Sequence, residues 1–338
     1  MAKYFYILNH RFLPTPYSHR FFVEKFGKGF AYHGYEVKLV ERAGEIDGPG
    51  FLMTSKVPFF FYWNDGVKNI RRNFFMLTRE IFKALKLDWF EAFCTHFEKR
   101  ALAEIAPRMI SQNVVLIAWD WHKEQAFIDS LGVPTIYTND YYYSGPRDTE
   151  KKAWQAFYGG HPDRALPIRF LADYDPARVG DLADSERNII VSYVGERRYA
   201  LDWQGAFKDR SDCAIIPTPP YIEESKRIYI YQHTLISLGL GAPGNIANGV
   251  VTERVFEALA FGSICISNHP DAPAATDGVA LYAPSLDDLV RKVDYFSKNP
   301  LEAKKIRERG FAFIKADGTY SHEAEKFIAL AEAQKKRT

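Results

Sequence analysis

The chain has 338 residues, 47% hydrophobic and 25% charged, with a net charge of +2 at pH 7. That length suits about two domains, and the near balance of charge removes the electrostatic case for nucleic acid. Cys94, Cys213 and Cys265 are widely spaced and no CxxC or Cys/His pair suggests zinc; the odd count of free thiols leads to the expectation of a reducing compartment.

The opening MAKYFYILNHRF is too short and too interrupted for a signal peptide. No apolar run approaches the ~20 residues needed to span a bilayer. A cytoplasmic protein is expected. Tyr4 to Leu8 reads as a first strand, and a loop with Pro14 and Pro16 follows. Arg20 to His33 is a helix weakened by Gly27 and Gly29. Glu36 to Val40 is the second strand. Val57 to Gly66, VPFFFYWNDG, is a dense aromatic run. It is either a buried strand or an acceptor platform, since sugar faces stack on aromatic rings. Asn69 to Ala106 carries apolar stripes at helical spacing beside Arg71, Arg72, Arg79, Lys83 and Lys86. Two readings stand: a solvated helix face, or peripheral contact with an anionic membrane surface.

Val114 to Ala118 is a buried strand with Trp119, Asp120, Trp121 and His122 at its carboxyl end. Ligands of open α/β sheets bind outside the carboxyl ends of the strands. Asp120 and His122 are therefore candidate bases for an acceptor hydroxyl; the alternatives are a capping Asp120 and a stacked surface His122. Pro134 to Tyr137 starts the next strand. Tyr141 to Gly180 has few regular signals and reads as the connection between domains. The boundary is placed at 170, giving domains 1–170 and 171–338, with the last helix crossing back.

Ile189 to Val194 opens the second domain, followed by Gly195, Glu196, Arg197 and Arg198. Cys213 to Ile216 is the next strand, and Glu223 to His233 is a mixed helical segment carrying Lys226 and Arg227, both secondary candidates for the donor phosphates. Thr234 to Leu240 is a strand, glycines 239, 241, 244 and 249 break regular structure, and Val251 to Phe261 is a helix ended by Gly262. Ile264 to Ser267 is again strand-like. The segment is a βαβ unit of a parallel sheet. Its helix is nearly all apolar, yet Glu253, Arg254 and Glu257 share one side, at ~100° of turn per residue. A helix N-terminus suits phosphate, Arg254 would add a bidentate partner, and Glu257 would accept from paired ribose hydroxyls. The competing reading is an Arg254–Glu257 pair that satisfies itself. Three helices, Leu286 to Ser297, Leu301 to Ile314 and His322 to Gln334, complete the chain.

TERVFEALAFG followed by SICISN resembles the nucleotide-binding motif of GT-B glycosyltransferases, in the branch of CgeB-like spore-coat proteins and GT4-like enzymes. NIIVSYVG at 188–195 resembles the first strand of the same C-terminal domain, and DGVALYAPSLDDLVRKVDYFSKNP at 277–300 resembles its late sugar-nucleotide edge and the helix after it. The likeness covers about the last 150 residues well and the first half in outline. It implies an α/β chain of GT-B architecture, two Rossmann-like domains facing across a cleft. The first would bind a glycan or lipid-linked acceptor and the second a UDP- or GDP-sugar donor, used as substrate with no tightly bound cofactor and no metal. Gly195, Arg197 and Lys226 would approach the donor diphosphate, Arg254 would stabilise its charge, and Glu257 would hold the ribose. Transfer would retain anomeric configuration. GT4-like enzymes place a second glutamate eight residues before the ribose-binding one; that position is Gly249, so the sugar-contacting acid is missing or is supplied by Glu253.

Three alternatives stay open. VVTERVFEAL is also similar to the YVTEK motif of inverting fucosyltransferases that use GDP-fucose. Gly239, Gly241 and Gly244 spell the G-x-G-x-x-G of an NAD-dependent oxidoreductase. Against that reading, Asn245 to Gly249 intervene before the helix, and Asn268 and His269 replace the acid expected after the next strand. The third alternative is a non-catalytic glycan-binding protein.

Overall fold

The computed structural model describes residues 2–8, 17–55, 89–141, 143–144, 149–173, 187–196, 203, 206–207, 209–218 and 222–336. Five short apolar stretches form the first sheet: β1 (Lys3–Leu8), β2 (Tyr35–Val40), β3 (Gly50–Ser55), β4 (Val114–Trp119) and β5 (Thr135–Thr138). All pairings are parallel, in the order β2-β1-β3-β4-β5. β4 and β5 are buried along their whole length, as the continuous VVLIAW run requires of a strand covered on both faces. One face packs through aromatics. Phe5 of β1 stacks on Phe30 and meets Phe26 edge-on, both from the Tyr17–Ala31 helix, and Phe26 meets Phe327 of the last helix.

The second sheet holds β6 (Ile189–Glu196), β7 (Cys213–Thr218), β8 (Thr234–Leu238), β9 (Ile264–Ser267) and β10 (Leu281–Tyr282). Its order is β10-β9-β8-β6-β7, again all parallel. Numbered from its own first strand, this is the order of the first sheet, so the two sheets share one topology. Its core gathers Val191, Tyr193, Ile236, Leu238, Ile264 and Ile266 from the strands and Leu289, Val293 and Phe296 from the Leu286–Lys298 helix. Ser192 and Ser237, paired across β6 and β8, satisfy each other's hydroxyls at 3.1 Å.

The chain divides into two units. One holds Met1–Asn139, Ala156–Pro167 and Ala324–Thr338; the other holds Asp140–Gln155 and Ile168–Glu323. A single cut at 170 is therefore too simple, because residues 140–155 belong with the second unit. The last helix, Tyr320–Lys335, starts in the second unit and ends in the first.

Among the described residues, several elements differ from the sequence reading. β3 has no counterpart there, because only Phe51, Leu52 and Met53 are apolar between Gly50 and Thr54. A helix, Thr149–Gly160, lies within the stretch read as connection, anchored by fully buried Trp154. A short helix, Pro243–Asn248, replaces the expected break, with Pro243 in its first turn and Gly244 inside it. Residues 57–66 and the basic segment before Trp89 lie outside the described residues. Among the described residues no helix is long and apolar enough to cross a membrane.

Candidate functional site

In sheets of this strand order the ligand crevice lies where the first and third strands part, outside their carboxyl ends. In the second unit that point is the end of β6 beside β8. Gly195 stands there. A Cβ built on it would lie 2.7 Å from the Tyr193 hydroxyl and 2.8 Å from Arg254 Nε, closer than any side chain tolerates. Glycine at 195 is therefore what admits the Arg254 guanidinium. Arg254 donates to the Leu240 carbonyl at 3.2 Å and makes no ion pair among the described residues. It is a partly exposed cation in the first turn of the Glu253–Ala260 helix. Thr252, which caps that helix, has a buried hydroxyl with no hydrogen-bond partner among the described residues. Gly262 ends the helix as expected: its N–H donates to Leu259 O and the next N–H, of Ser263, to Ala258 O.

Glu257, one turn further on, is buried and ion-paired with Arg227 of the Glu224–Gln232 helix. The self-satisfied Arg254–Glu257 pair is thus absent, and the structure brings together Glu257 and Arg227 instead. Burial works against the Arg227 charge, and Glu257 more than offsets it, so the guanidinium pKa is raised. Lys226 is exposed. Glu253 is half-buried at the first helical position. Arg197 lies outside the described residues.

The ends of β8 and β9 are tied together. Asn268 Oδ1 accepts from the Gly241 N–H at 2.8 Å. His269 is buried; its Nδ1 accepts from the Asp271 N–H at 3.1 Å, so Nε2 carries the proton and donates to Asn245 O at 3.3 Å. Burial lowers the His269 pKa from its ordinary value, with the Asn245 carbonyl and Asp271 pulling the other way. A helix does begin inside the G-x-G-x-x-G, at Pro243, so the sequence objection from a late helix start does not hold. However, the Gly241 N–H is already bound to Asn268, and β9 ends at Ser267 with no acid.

Gly249 is left-handed, at φ 70°, and caps the Pro243–Asn248 helix. Its carbonyl accepts from the Tyr143 N–H at 2.8 Å, which seats Ser144 against it. A Cβ there would lie 2.4 Å from Ser144 Oγ and 2.9 Å from Ser144 N. The glutamate of the GT4-like pattern has no room at this position.

In the first unit, Asp120 and His122 follow β4, as the sequence implies. Asp120 is half-buried at φ 63°, and its N–H donates to Thr138 O at 3.0 Å. Left-handed backbone at a non-glycine residue is uncommon, though aspartate tolerates it better than most. His122 starts a short 3-10 turn, with its ring 6.1 Å from that of Phe157. The first-to-third-strand point of this sheet is the end of β1 beside β3, whereas Asp120 and His122 stand at the fourth strand.

Known proteins share this fold. Residues 187–329 match the family described as Glycosyl transferase-like. By structure the chain is similar to alpha,alpha-trehalose 6-phosphate synthase from Burkholderia multivorans, at 10% identity and TM-score 0.55, covering 100% of each chain. It is also similar to an alpha-glucosyltransferase solved with UDP and a DNA 13-mer, at 13% identity and TM-score 0.55, covering 98% of this chain and 100% of the other. A further similar structure is the UDP-forming trehalose-phosphate synthase from Burkholderia vietnamiensis, at 10% identity and TM-score 0.53, covering 100% and 99%. No curated protein matches by sequence. These neighbours share the arrangement of two parallel α/β units, and residues 187–329 include both Arg254 and Glu257. The chain has the two-domain α/β fold of GT-B glycosyltransferases, and residues 187–329 form a glycosyl transferase-like domain.

Proposed function

We propose that the protein transfers a sugar from a UDP- or GDP-sugar to a hydroxyl of a glycan or similar acceptor, with retention of configuration and without a metal. The observation that carries this is Arg254: a guanidinium without an ion pair among the described residues, at the first turn of a helix, with its Nε 2.8 Å from where a Cβ on Gly195 would stand. Guanidinium and helix end together suit a diphosphate. As the acceptor oxygen bonds the anomeric carbon, the bond from that carbon to the diphosphate oxygen breaks. The nucleoside diphosphate leaves with the electron pair, and the acceptor proton passes to it. Arg254 and the helix end offset the charge that develops, a part otherwise open to a divalent cation. The UDP held by the similar alpha-glucosyltransferase supports a donor of this class.

Glu257 is the ribose candidate, sharing its carboxylate with Arg227, and Lys226 is a further diphosphate contact. Glu253 is the helix's remaining catalytic candidate. We assign the acceptor to the first unit, with Asp120 and His122 as its polar candidates. The free thiols Cys213 and Cys265 fit a reducing compartment.

Calorimetry on Arg254→Ala tests the reading. Losing a hydrogen bond to a charged group costs on the order of 1.5–3 kcal/mol, about tenfold or more in affinity. UDP or GDP should weaken by that factor, while uridine or guanosine should change less than about twofold. Equal weakening of diphosphate and nucleoside would overturn the phosphate role.

A further inference from the structure

The peptide between Leu240 and Gly241 is held at both ends. Its carbonyl, Leu240 O, accepts from Arg254 Nη1 at 3.2 Å. Its N–H, on Gly241, donates to Asn268 Oδ1 at 2.8 Å. A trans peptide is planar, with its C=O and N–H pointing opposite ways. The direction of the N–H therefore fixes the direction of the carbonyl. Asn268 and Arg254 stand at the two ends of one rigid plate. An acceptor on the N–H also polarises the carbonyl and strengthens the bond that the carbonyl accepts.

Asn268 reaches this place by continuing the strand ladder. Backbone pairing of β8 with β9 runs to Leu238 and Ile266, and the Gly239 N–H adds a bond to Ile266 O at 2.9 Å. Beyond that point the side chains of Ser267 and Asn268 take over. Ser267 Oγ donates to Gly239 O at 2.7 Å. Asn268 Nδ2 donates to Gly241 O at 3.4 Å, beside the bond its Oδ1 accepts. The side-chain amide thus offers Gly241 one bond in each direction, as a neighbouring strand would. The Leu240 side chain is fully buried in the core of the sheet, which restrains the same peptide from its other flank. Across the guanidinium, Arg254 Nε lies 2.8 Å from the Cβ position of Gly195, and the Tyr193 hydroxyl lies 2.7 Å from that same point. The guanidinium is set at one nitrogen by Leu240 O and at another by the gap over Gly195.

We infer that Asn268 is a positioning residue: through the Leu240–Gly241 peptide it sets the Arg254 guanidinium for the donor diphosphate, without touching the ligand. This rests on the phosphate role of Arg254 given above. Calorimetry on full-length Asn268→Ala, Arg254→Ala and the double variant tests it, with UDP, GDP, uridine and guanosine as ligands. In Asn268→Ala the diphosphate should weaken about fivefold, and its nucleoside less than about twofold. In the Arg254→Ala background the same substitution should change diphosphate binding by less than about twofold, because no guanidinium is left to position. Losses that add in the double variant, or that fall equally on nucleoside and diphosphate, would show a general structural role and overturn the inference. So would a folded Asn268→Ala that binds the diphosphate as the wild type does. Where Asn268→Ala does not fold, nitrogen-15 NMR of the wild type and Arg254→Ala decides. The Gly241 backbone amide and the Asn268 side-chain amide should both shift when Arg254 is lost, and unchanged signals would overturn the link. A wild type that binds neither diphosphate, or an Arg254→Ala that binds it as well as the wild type, would instead overturn the phosphate reading, and this inference with it.

Discussion

Glu257 is paired with Arg227 and not with Arg254, although Arg254 lies one turn before it on the same helix. Both partners of the pair are largely buried, with side chains 14% and 3% exposed for Arg227 and Glu257. The pair ties the Glu224–Gln232 helix to the one that carries Arg254, and it leaves Arg254 free of a carboxylate among the described residues.

Removing one member of such a pair strands a charge. Glu257→Ala should cost about 3–5 kcal/mol, a fall in Tm on the order of 10 °C. Replacing both members by Leu should recover most of that stability, because two apolar side chains leave no buried charge. Nucleoside binding to the recovered double variant then reads the ribose role separately. Lost affinity for uridine and guanosine at restored Tm is expected if Glu257 also holds the ribose.

Gly249 should resist substitution for a reason unrelated to chemistry. A side chain there pays about 1–2 kcal/mol for left-handed backbone and meets Ser144 Oγ and N. Gly249→Ala should lower stability by more than about 1 kcal/mol, read by urea unfolding. Adding Ser144→Ala should recover part, since the Oγ clash goes and the contact with the Ser144 backbone stays. Gly249→Glu should not raise transferase activity.

Retention makes a prediction about Asp120 and His122. A general base typically contributes 10²–10⁴-fold. With retention, Asp120→Asn and His122→Ala should each lower turnover by less than about 10²-fold, and proton NMR of the first-formed product should show the anomer of the donor. A larger loss in either variant, with the opposite anomer, would move the mechanism to inversion with that residue as base.

His269 predicts a pH dependence. Its native pKa lies below the ordinary 6.5 through burial, with Asp271 and the Asn245 and Val250 carbonyls opposing that fall. Between the two values the unfolded chain binds the proton and the native chain does not, so stability drops as pH falls through that window. Its contribution is complete above 6.5 and is lost progressively below it. Tm should decline from about pH 7.5 to about pH 5.5, and His269→Gln should flatten that decline. An equal slope in the variant would assign the effect to other groups.

Much of the fold is readable in order along the chain. β4 announces itself as VVLIAW, the Glu253–Ala260 helix by its apolar run, and its end by Gly262. These signals are local: a strand needs a continuous apolar stretch, and a helix end needs one residue that can reverse the chain. β3 and the Pro243–Asn248 helix escape because three apolar residues make too short a pattern, and because Pro and Gly more often mark loops than the inside of a six-residue helix.

The candidate site divides along the same line. The sequence by itself determined that Arg254 opens a helix after a strand, and that Gly249 stands where a glutamate is expected. Only the tertiary structure decided that Glu257 pairs with Arg227, 30 residues earlier, and that Gly195 lies under the Arg254 guanidinium. The physical reason is range. Backbone hydrogen bonding and periodicity act over a few residues, while strand order decides which distant side chains meet, and a charge takes the partner that shares its buried space.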